Sequence, residues 1–486
     1  MVRKYRFYLR NKTVIYSSLV VFILIILFSS FDVYAHGLNV RYELPIPLSF
    51  YLFTSGIVVM ITIFLVSYFR FYSYIKESKK ITEYRYSNFK LNYLNKIPFL
   101  FLVFLVIAGL FGSQGPLDNI INVFIWVWVW VGIAYVSIVF GNVWGAISPW
   151  SSIYSLFIFL FRKKLKRIRR HSDKEAEILG LILLFIVLWI AIIFPGREVP
   201  YNLSLFLMFY SLITLLGMVV YGRSRWNNSA EIFNIYFGML GRLGILGRDK
   251  KSFKDNFRLP LSGVHMGRGS IYSSLFIVVA VSSISFDGII ETEAWDNFKV
   301  YIVSISFFRP ALEKLVQFFG DITLVLNSIG FICMPLIIGF LFMATCFRAQ
   351  KHAQQKFDLC TILIAFTPAL IPIAAAYHVA HYFSFLLIAG QIGIQLISDP
   401  FGWGWNIFGT ANMQINVAVI NAKIGWTIIL ISVVLGHMAS IFISQKIAFK
   451  IKGRNANALK IHLPFSFFMV LYTIFSLWIL AQPIVH

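Results

Sequence analysis

The sequence predicts an all-α protein, a polytopic transmembrane bundle of about ten or eleven helices with a cytoplasmic N-terminus and an outer C-terminus. The first observation is composition: the 486-residue chain is 59% hydrophobic and 17% aromatic, with a mean hydropathy of +0.77. Such values lie far outside the range of soluble proteins. The second observation is that the hydrophobic residues fall into long runs. The third is that the basic residues between the runs are distributed very unevenly.

Each hydrophobic run has about the 17 or more residues that a helix rising 1.5 Å per residue needs to cross hydrocarbon. The runs are residues 13–31, 48–69, 97–112, 120–141, 178–194, 201–221, 270–286, 322–346, 358–397, 425–447 and 463–481. Residues 1–35 fit either a cleaved signal peptide, with VYA at 33–35 as the cleavage site, or a retained first anchor. Residues 36–486 then form a single integral-membrane domain.

The basic residues predict the orientation of the chain. Thirty-seven of the 43 Lys and Arg residues lie in segments that alternate with the runs, namely 1–12, 70–96, 142–177, 222–269, 347–357 and 446–462. Loops rich in Lys and Arg stay in the cytoplasm, so we expect a multi-pass protein of the inner membrane with large cytoplasmic loops at 70–96, 142–177 and 222–269. Orientation and contact with anionic lipids explain the net charge of +23, and no nucleic-acid partner is predicted.

Several other segments and residues give no indication of a functional site. Residues 222–269 are rich in Gly and basic residues but lack a nucleotide-binding motif, which predicts a flexible amphipathic lid or a membrane-surface loop. Residues 300–321 read as interfacial. The tryptophans at 126, 128 and 130 are typical of an aromatic belt or of lipid contact. His352 and His462 fall in predicted loops, where we expect them to be solvated.

The run at 358–397 holds forty residues and a single charge, and its flanking charges allow only one crossing. Pro368 and Pro372 lie in its first half, where each removes a helical hydrogen bond. The sequence therefore predicts a broken, tilted helix. Discontinuous helices at membrane depth line cavities, so this run is where we expect the functional site.

A stripe of polar side chains follows the same run. At about 100° per residue, His378 and His381 lie about 60° apart, and Gln395 and Asp399 fall on the same side. Ionisable groups are costly in hydrocarbon, so this stripe is expected to face a bundle interior or a wet cavity. His437 begins a weaker stripe on the run at 425–447.

These residues predict an outward-opening polar site that holds a divalent metal, zinc, iron or copper. The predicted metal ligands are His378, His381 and His437, and the predicted catalytic carboxylates are Asp287 and Asp399. Such a metal lowers the pKa of its bound water toward neutrality, and a carboxylate orients or deprotonates that water. His36 is a further ligand if it lies near the outer surface. In the alternative interpretation, the histidines only hydrogen-bond neighbouring helices.

Short sequence segments along nearly the whole chain resemble a family of bacterial polytopic membrane proteins labelled fenitrothion hydrolase-like. They are AHGL at 35–38, LPIP at 44–47, GNVW at 141–144, PW at 149–150, SFDG at 285–288, His378, AHY at 380–382, GQ at 390–391, SDP at 398–400, FGT at 408–410, GH at 436–437 and AQPIV at 481–485. AIS at 146–148 and WGWN at 403–406 depart from the family pattern. The resemblance implies an integral-membrane protein with hydrolytic activity, and it assigns no catalytic residue.

Three functions remain open from the sequence. The first is metal-assisted hydrolysis of an ester or phosphoester of an unknown small molecule. The second is a transporter or permease in which the polar stripe binds an ion or a proton and the broken helix gates the path. The third is a redox subunit in which His381 and His437 ligate haem from facing helices.

Overall fold

The computed structural model describes residues 97–161, 173–248, 255–264, 269–353, 357–452 and 456–482, together with eight residues between 53 and 63. It is 79% helical, which confirms the predicted all-α class. The predicted first run at 13–31, most of the run at 48–69, and His36 lie outside the described residues. The predictions for these parts therefore stay predictions.

Among the described residues from 97 onward, sixteen α-helices follow one another. They are α1 (Ile97–Phe111), α2 (Ile120–Phe140), α3 (Trp144–Ile147), α4 (Pro149–Phe161), α5 (Asp173–Ile192), α6 (Pro200–Tyr221), α7 (Arg223–Ser229), α8 (Ile232–Leu240), α9 (Ile271–Ile290), α10 (Glu293–Ser304), α11 (Arg309–Phe319), α12 (Ile322–His352), α13 (Leu359–Phe366), α14 (Ile371–Ser398), α15 (Ala422–Lys452) and α16 (Ala456–Ala481). Strands β1 (Leu246–Arg248) and β2 (Asp255–Phe257) pair antiparallel in a small two-stranded sheet. Within α2, residues Val123–Gly132 are π-helical.

Eight helical segments of the described residues are long and apolar enough to cross a membrane. They are α2, α5, α6, α9, α12, the combined α13–α14 segment, α15 and α16, and α1 is a shorter apolar helix. All nine coincide with runs predicted from the sequence. The polytopic architecture is therefore confirmed, and a lipid bilayer is its environment.

Contacts between described loops join the segments that alternating spans place at the same end of the bundle. At one end, the N–H of Ser113 donates to the carbonyl of Phe401 at 2.7 Å, joining two predicted outer loops. At the other end, the N–H of Ile245 donates to the carbonyl of Val139 at 2.9 Å, and Arg225 pairs with Asp173. Which end faces the cytoplasm stays a prediction from the basic residues.

The forty-residue run forms one interrupted helix, as predicted. Helix α13 ends at Phe366, a 3₁₀ turn spans Thr367–Leu370, and α14 then continues to Ser398. Proline lacks an amide hydrogen and its ring blocks the preceding turn, so the break falls where Pro368 and Pro372 stand. Residues 366–378 are all buried, which places the break in the interior of the bundle.

Residues 231–244 form part of the bundle, so the predicted lid or surface loop is wrong for this part of segment 222–269. Helix α8 packs against α2, α5 and α14, and eight of its nine residues are buried. It is apolar on almost every side, and the basic residues that suggested a surface location flank it. Gly241 permits close packing, because a Cβ there would lie 2.6 Å from the backbone nitrogen of Asn142.

A buried carboxylate begins α8. Glu231 accepts hydrogen bonds from the Tyr210 hydroxyl at 2.9 Å and the Trp144 indole at 3.1 Å, and it caps the helix by accepting from the N–H groups of Phe233 and Asn234. Burial raises the pKa of Glu231 to about 7, and these four hydrogen bonds oppose the shift. The carboxyl group is thus one of the anchors that hold segment 222–244 in the bundle.

Glu231→Gln is expected to lower the free energy of unfolding by about 1–3 kcal/mol. The amide group of glutamine has only one oxygen, and its nitrogen cannot accept a hydrogen bond. One helix N–H that Glu231 caps would therefore lose its acceptor. Because the pKa of Glu231 in the folded state lies above its ordinary value, the folded state holds this proton more tightly. Wild-type stability should therefore fall as pH rises between about 4.5 and 7, and the variant should lack this component. Thermal unfolding in detergent measures both effects. The exposed Glu313→Gln is the control, and equal losses in the two variants contradict the prediction.

Candidate functional site

The structure brings two predicted residues, His381 on α14 and Asp287 on α9, into direct contact. His381 Nε2 lies 3.1 Å from Asp287 Oδ2, and the Tyr382 hydroxyl donates to the same oxygen at 2.5 Å. The side chain of His381 is 6% exposed and that of Asp287 is 17% exposed. Arg197 lies near enough to act on the Asp287 carboxylate electrostatically. The result is an acid–base pair between two membrane-spanning helices.

Small residues allow this contact. Helix α14 presents three consecutive alanines at 374–376 before the histidines, and α9 has Gly288 directly after Asp287. A Cβ at Gly288 would lie 2.8 Å from the Tyr377 hydroxyl and 3.7 Å from His381 Cε1. A larger side chain at Gly288 would therefore push α14 away and lengthen the hydrogen bond between His381 and Asp287.

The two helices extend differently beyond the pair. Helix α9 ends three residues after Asp287, whereas α14 continues for 17 residues, or about 26 Å, past His381. On the side where α9 stops, the chain continues as α10 and α11, which bury only Leu312 between them. The pair therefore lies below the predicted outer end of α14, beside the helix end of α9.

His378 lies one turn before His381 and has different partners. Its Nδ1 is 3.0 Å from the hydroxyl of Tyr236, which comes from the buried helix α8. The ring of Tyr236 stacks on Trp130 with centroids 5.3 Å apart. A belt position for Trp130 is therefore wrong, because its ring is buried in this network.

His437 lies apart from the other two histidines. Gly436 packs against Pro372 and Ala376, and the Ser440 hydroxyl donates to the carbonyl of Ala369, so this part of α15 faces the beginning of α14. The distance along α14 from that region to His378 and His381 is about 6–10 Å. His437 Nδ1 instead lies 2.7 Å from the carbonyl oxygen of Val433.

The predicted three-histidine metal site is not assembled. Among the described residues, no group of three His, Cys, Asp or Glu side chains is placed to hold a metal ion. His381 and Asp287 are the only two of the predicted residues that this part of the chain brings together, and His36 lies outside it. The metal prediction therefore receives no support from the described geometry.

Asp399, the second predicted carboxylate, ends α14 about 27 Å from His381. It accepts from the N–H groups of Trp403 at 2.9 Å and Gly404 at 2.6 Å, which closes a turn. Gln395 donates to the carbonyl of Met413. The predicted polar stripe thus divides: its early part forms the site, and its late part holds the loop after α14.

An apolar cavity of about 230 Å³ lies next to this network. Trp130 and Phe233 form part of its wall, together with residues of α1, α2, α4, α5 and α6. It is larger than a cavity of about 150 Å³ that holds benzene. The Trp130 ring also stacks on Tyr236, whose hydroxyl contacts His378, so one indole ring lies between the cavity and the polar site.

Sequence reasoning missed Tyr236 and Tyr382. Tyr382 directly follows His381, and its position in AHY at 380–382 was the available signal. Tyr236 was hidden because its segment was interpreted as a surface lid, although the apolar run at 232–240 indicates burial. Both tyrosines are needed to describe the hydrogen bonding of the histidines.

Comparisons of the chain with protein-family models, with curated proteins and with solved structures found no match. The functional inference therefore depends on the geometry of the site. The resemblance to the hydrolase-like family stays a prediction.

Proposed function

We propose that this protein is a membrane carrier that translocates protons both alone and together with a second substrate, and whose proton-binding site is the pair of Asp287 and His381. One observation carries the proposal: a carboxylate and an imidazole share a 3.1 Å hydrogen bond between apolar spanning helices. Ionisable groups are costly in hydrocarbon and mark ion and proton pathways. Such a pair takes up or releases one proton while each group keeps its hydrogen-bonding partner.

The interrupted helix supports this proposal. Helix α14, which carries His381, resumes after the 3₁₀ turn at Thr367–Leu370 in the buried interior of the bundle. Carriers place discontinuous helices at their substrate and ion sites, where the break permits rearrangement. The substrate is expected to be a small molecule.

A metal-assisted hydrolase is the second candidate, and one observation favours it. Asp287 engages His381 at Nε2, while Nδ1 is buried and has no hydrogen-bond partner among the described residues. In a general base, a carboxylate orients an imidazole through one ring nitrogen, and the other ring nitrogen has no hydrogen-bond partner and can accept a proton. The family resemblance supports the same candidate.

Reconstitution into liposomes tests the carrier. With the pH-sensitive dye pyranine inside and the membrane potential clamped by potassium and valinomycin, we expect an imposed proton gradient to collapse faster through wild type than through Asp287→Asn. The difference should be about tenfold or more, since the amide cannot exchange the proton. Asp399→Asn is the matched control and should behave as wild type, because Asp399 only closes a turn.

Equal rates in wild type and Asp287→Asn overturn the carrier proposal. Metal analysis of the same preparations then decides the second candidate: stoichiometric zinc, iron or copper that is lost in His381→Ala supports the hydrolase. A Soret band in the purified protein supports the haem alternative instead.

A further inference from the structure

A column of buried polar side chains runs from the neighbourhood of the proposed site toward the opposite end of the bundle. It follows the interface of α9, α15 and α16, in a region otherwise filled by aliphatic and aromatic side chains. Every member is at most 5% exposed: Ser285, His437, Ser440, Ser444, His462, Ser466 and Tyr472. Polar groups are expensive at this depth, so their alignment needs a reason.

The upper part of the column begins beside the site. Ser285 lies three residues before Gly288 on α9, so the two share a face, and a Cβ at Gly288 would lie 3.7 Å from His381 Cε1. The Oγ of Ser285 is 2.6 Å from the Tyr472 hydroxyl of α16. The Tyr472 ring is in turn 6.0 Å from the ring of His437, measured between centroids. Polar side chains of α9, α16 and α15 therefore lie next to one another in this order, from Ser285 through Tyr472 to His437.

The lower part follows one face of α15. His437, Ser440 and Ser444 are spaced by three and four residues, so they share a face over about 10 Å. The Ser444 hydroxyl lies 3.1 Å from His462 Nδ1, and the Ser466 hydroxyl lies 2.9 Å from His462 Nε2. The predicted solvated position of His462 is wrong, since it is fully buried six residues after the beginning of α16.

His437 connects the two parts. Its Nδ1 lies 2.7 Å from the carbonyl of Val433, and this contact requires the proton on Nδ1, so Nε2 is an acceptor. Nε2 is buried and has no partner within the described part of the chain, and the same holds for the Ser476 hydroxyl one turn beyond Tyr472. Buried polar atoms are normally hydrogen-bonded, and a buried water would supply the missing partner of each atom.

We propose that this column is a proton path between the Asp287–His381 pair and the predicted cytoplasmic end of the bundle, with His437 as its relay. The proposal rests on the proposed carrier function. In the relay step, Nε2 of His437 takes the excess proton from a protonated water on the Tyr472 side, which becomes a neutral water. The imidazolium then releases a proton from Nε2 to a neutral water on the Ser440 side, which carries the excess proton onward. Only N–H and O–H bonds form and break, and the imidazole returns to its starting state.

The liposome assay tests the path with two variants of the relay, His437→Phe and His437→Gln. Neither side chain can accept and release a proton near neutral pH, so we expect the proton flux to fall about tenfold in both. His462→Phe should reduce the flux similarly. His352→Gln, at the exposed end of α12, is the matched control and should keep the wild-type rate.

The outcomes separate the two proposals. A wild-type flux that does not depend on Asp287 overturns the carrier and the path together. A flux that depends on Asp287 but is unchanged in a correctly folded His437→Gln or His437→Phe protein overturns the path alone. Thermal unfolding identifies which variants are folded, and the smaller change in His437→Gln keeps the test decisive if the phenylalanine variant is unstable.

Discussion

Replacing Asp287 with alanine is expected to lower the free energy of unfolding by about 3–5 kcal/mol, because it leaves buried polar partners without their acceptor. His381 Nε2 and the Tyr382 hydroxyl both lose the carboxylate oxygen that they share. Asp287→Asn should cost less, since the amide oxygen can still accept from Tyr382. Reversible unfolding in mixed micelles, followed by tryptophan fluorescence, measures both changes.

A double-mutant cycle isolates the contact itself. If Asp287 and His381 interact as observed, the double variant should lose less stability than the sum of the losses in Asp287→Ala and His381→Ala. The expected difference is about 1–3 kcal/mol. The same cycle on Asp296 and Lys299 is the control, because this partly exposed i,i+3 ion pair on α10 is of a kind that contributes only about 0.3–0.5 kcal/mol. Additive losses at Asp287 and His381 would show that the two side chains do not interact in the folded protein.

Gly436→Ala is expected to destabilise the protein by about 1–3 kcal/mol, although alanine normally favours a helix. Helices α14 and α15 pack closely at this position. An added Cβ would overlap the side chain of Ala376 and lie 2.8 Å from the carbonyl oxygen of Pro372, which belongs to the backbone and cannot turn aside. The helices would have to separate beside the 3₁₀ break, and unfolding measured as above should detect the loss.

Gly425→Ala is the matched control on the same helix. A Cβ at Gly425 meets no atom within 4 Å, so this substitution should be neutral or stabilise the protein by up to about 1 kcal/mol. If both alanine variants have the same stability, the close approach of α14 and α15 at Gly436 is refuted. Proton flux in Gly436→Ala should also fall, because the relay His437 is the next residue.

The spans and the interruption of α14 were predictable because each depends on local sequence. Hydrocarbon requires every crossing segment to be long, apolar and internally hydrogen-bonded, and these requirements act on each helix separately. The break at Pro368 and Pro372 is similarly local, since a missing amide hydrogen acts within one turn. The same local reasoning failed for segment 231–244, where the flanking basic residues obscured an apolar helix that is buried in the bundle.

The histidines show the limit of this reasoning. Helical periodicity placed His378 and His381 on one side of a helix, and the membrane argument indicated an interior location for both. Which partner each has was not predictable: His381 meets Asp287, His378 meets Tyr236, and His437 faces the start of α14. Periodicity describes one helix, whereas these contacts depend on the rotation and offset of neighbouring helices.

The sequence by itself determined which segments enter the bilayer and that ionisable groups lie among them. The reason is that the free energy of transferring a segment from water into the bilayer depends mainly on the residues of that segment. Only the tertiary structure decided that an Asp287–His381 pair forms and that Asp399 closes a distant turn. It also decided that His462 joins a buried polar column. These outcomes depend on small residues such as Gly288 and Gly436, whose effect is to set how closely particular helices approach. That distance belongs to the packed bundle and to no single segment.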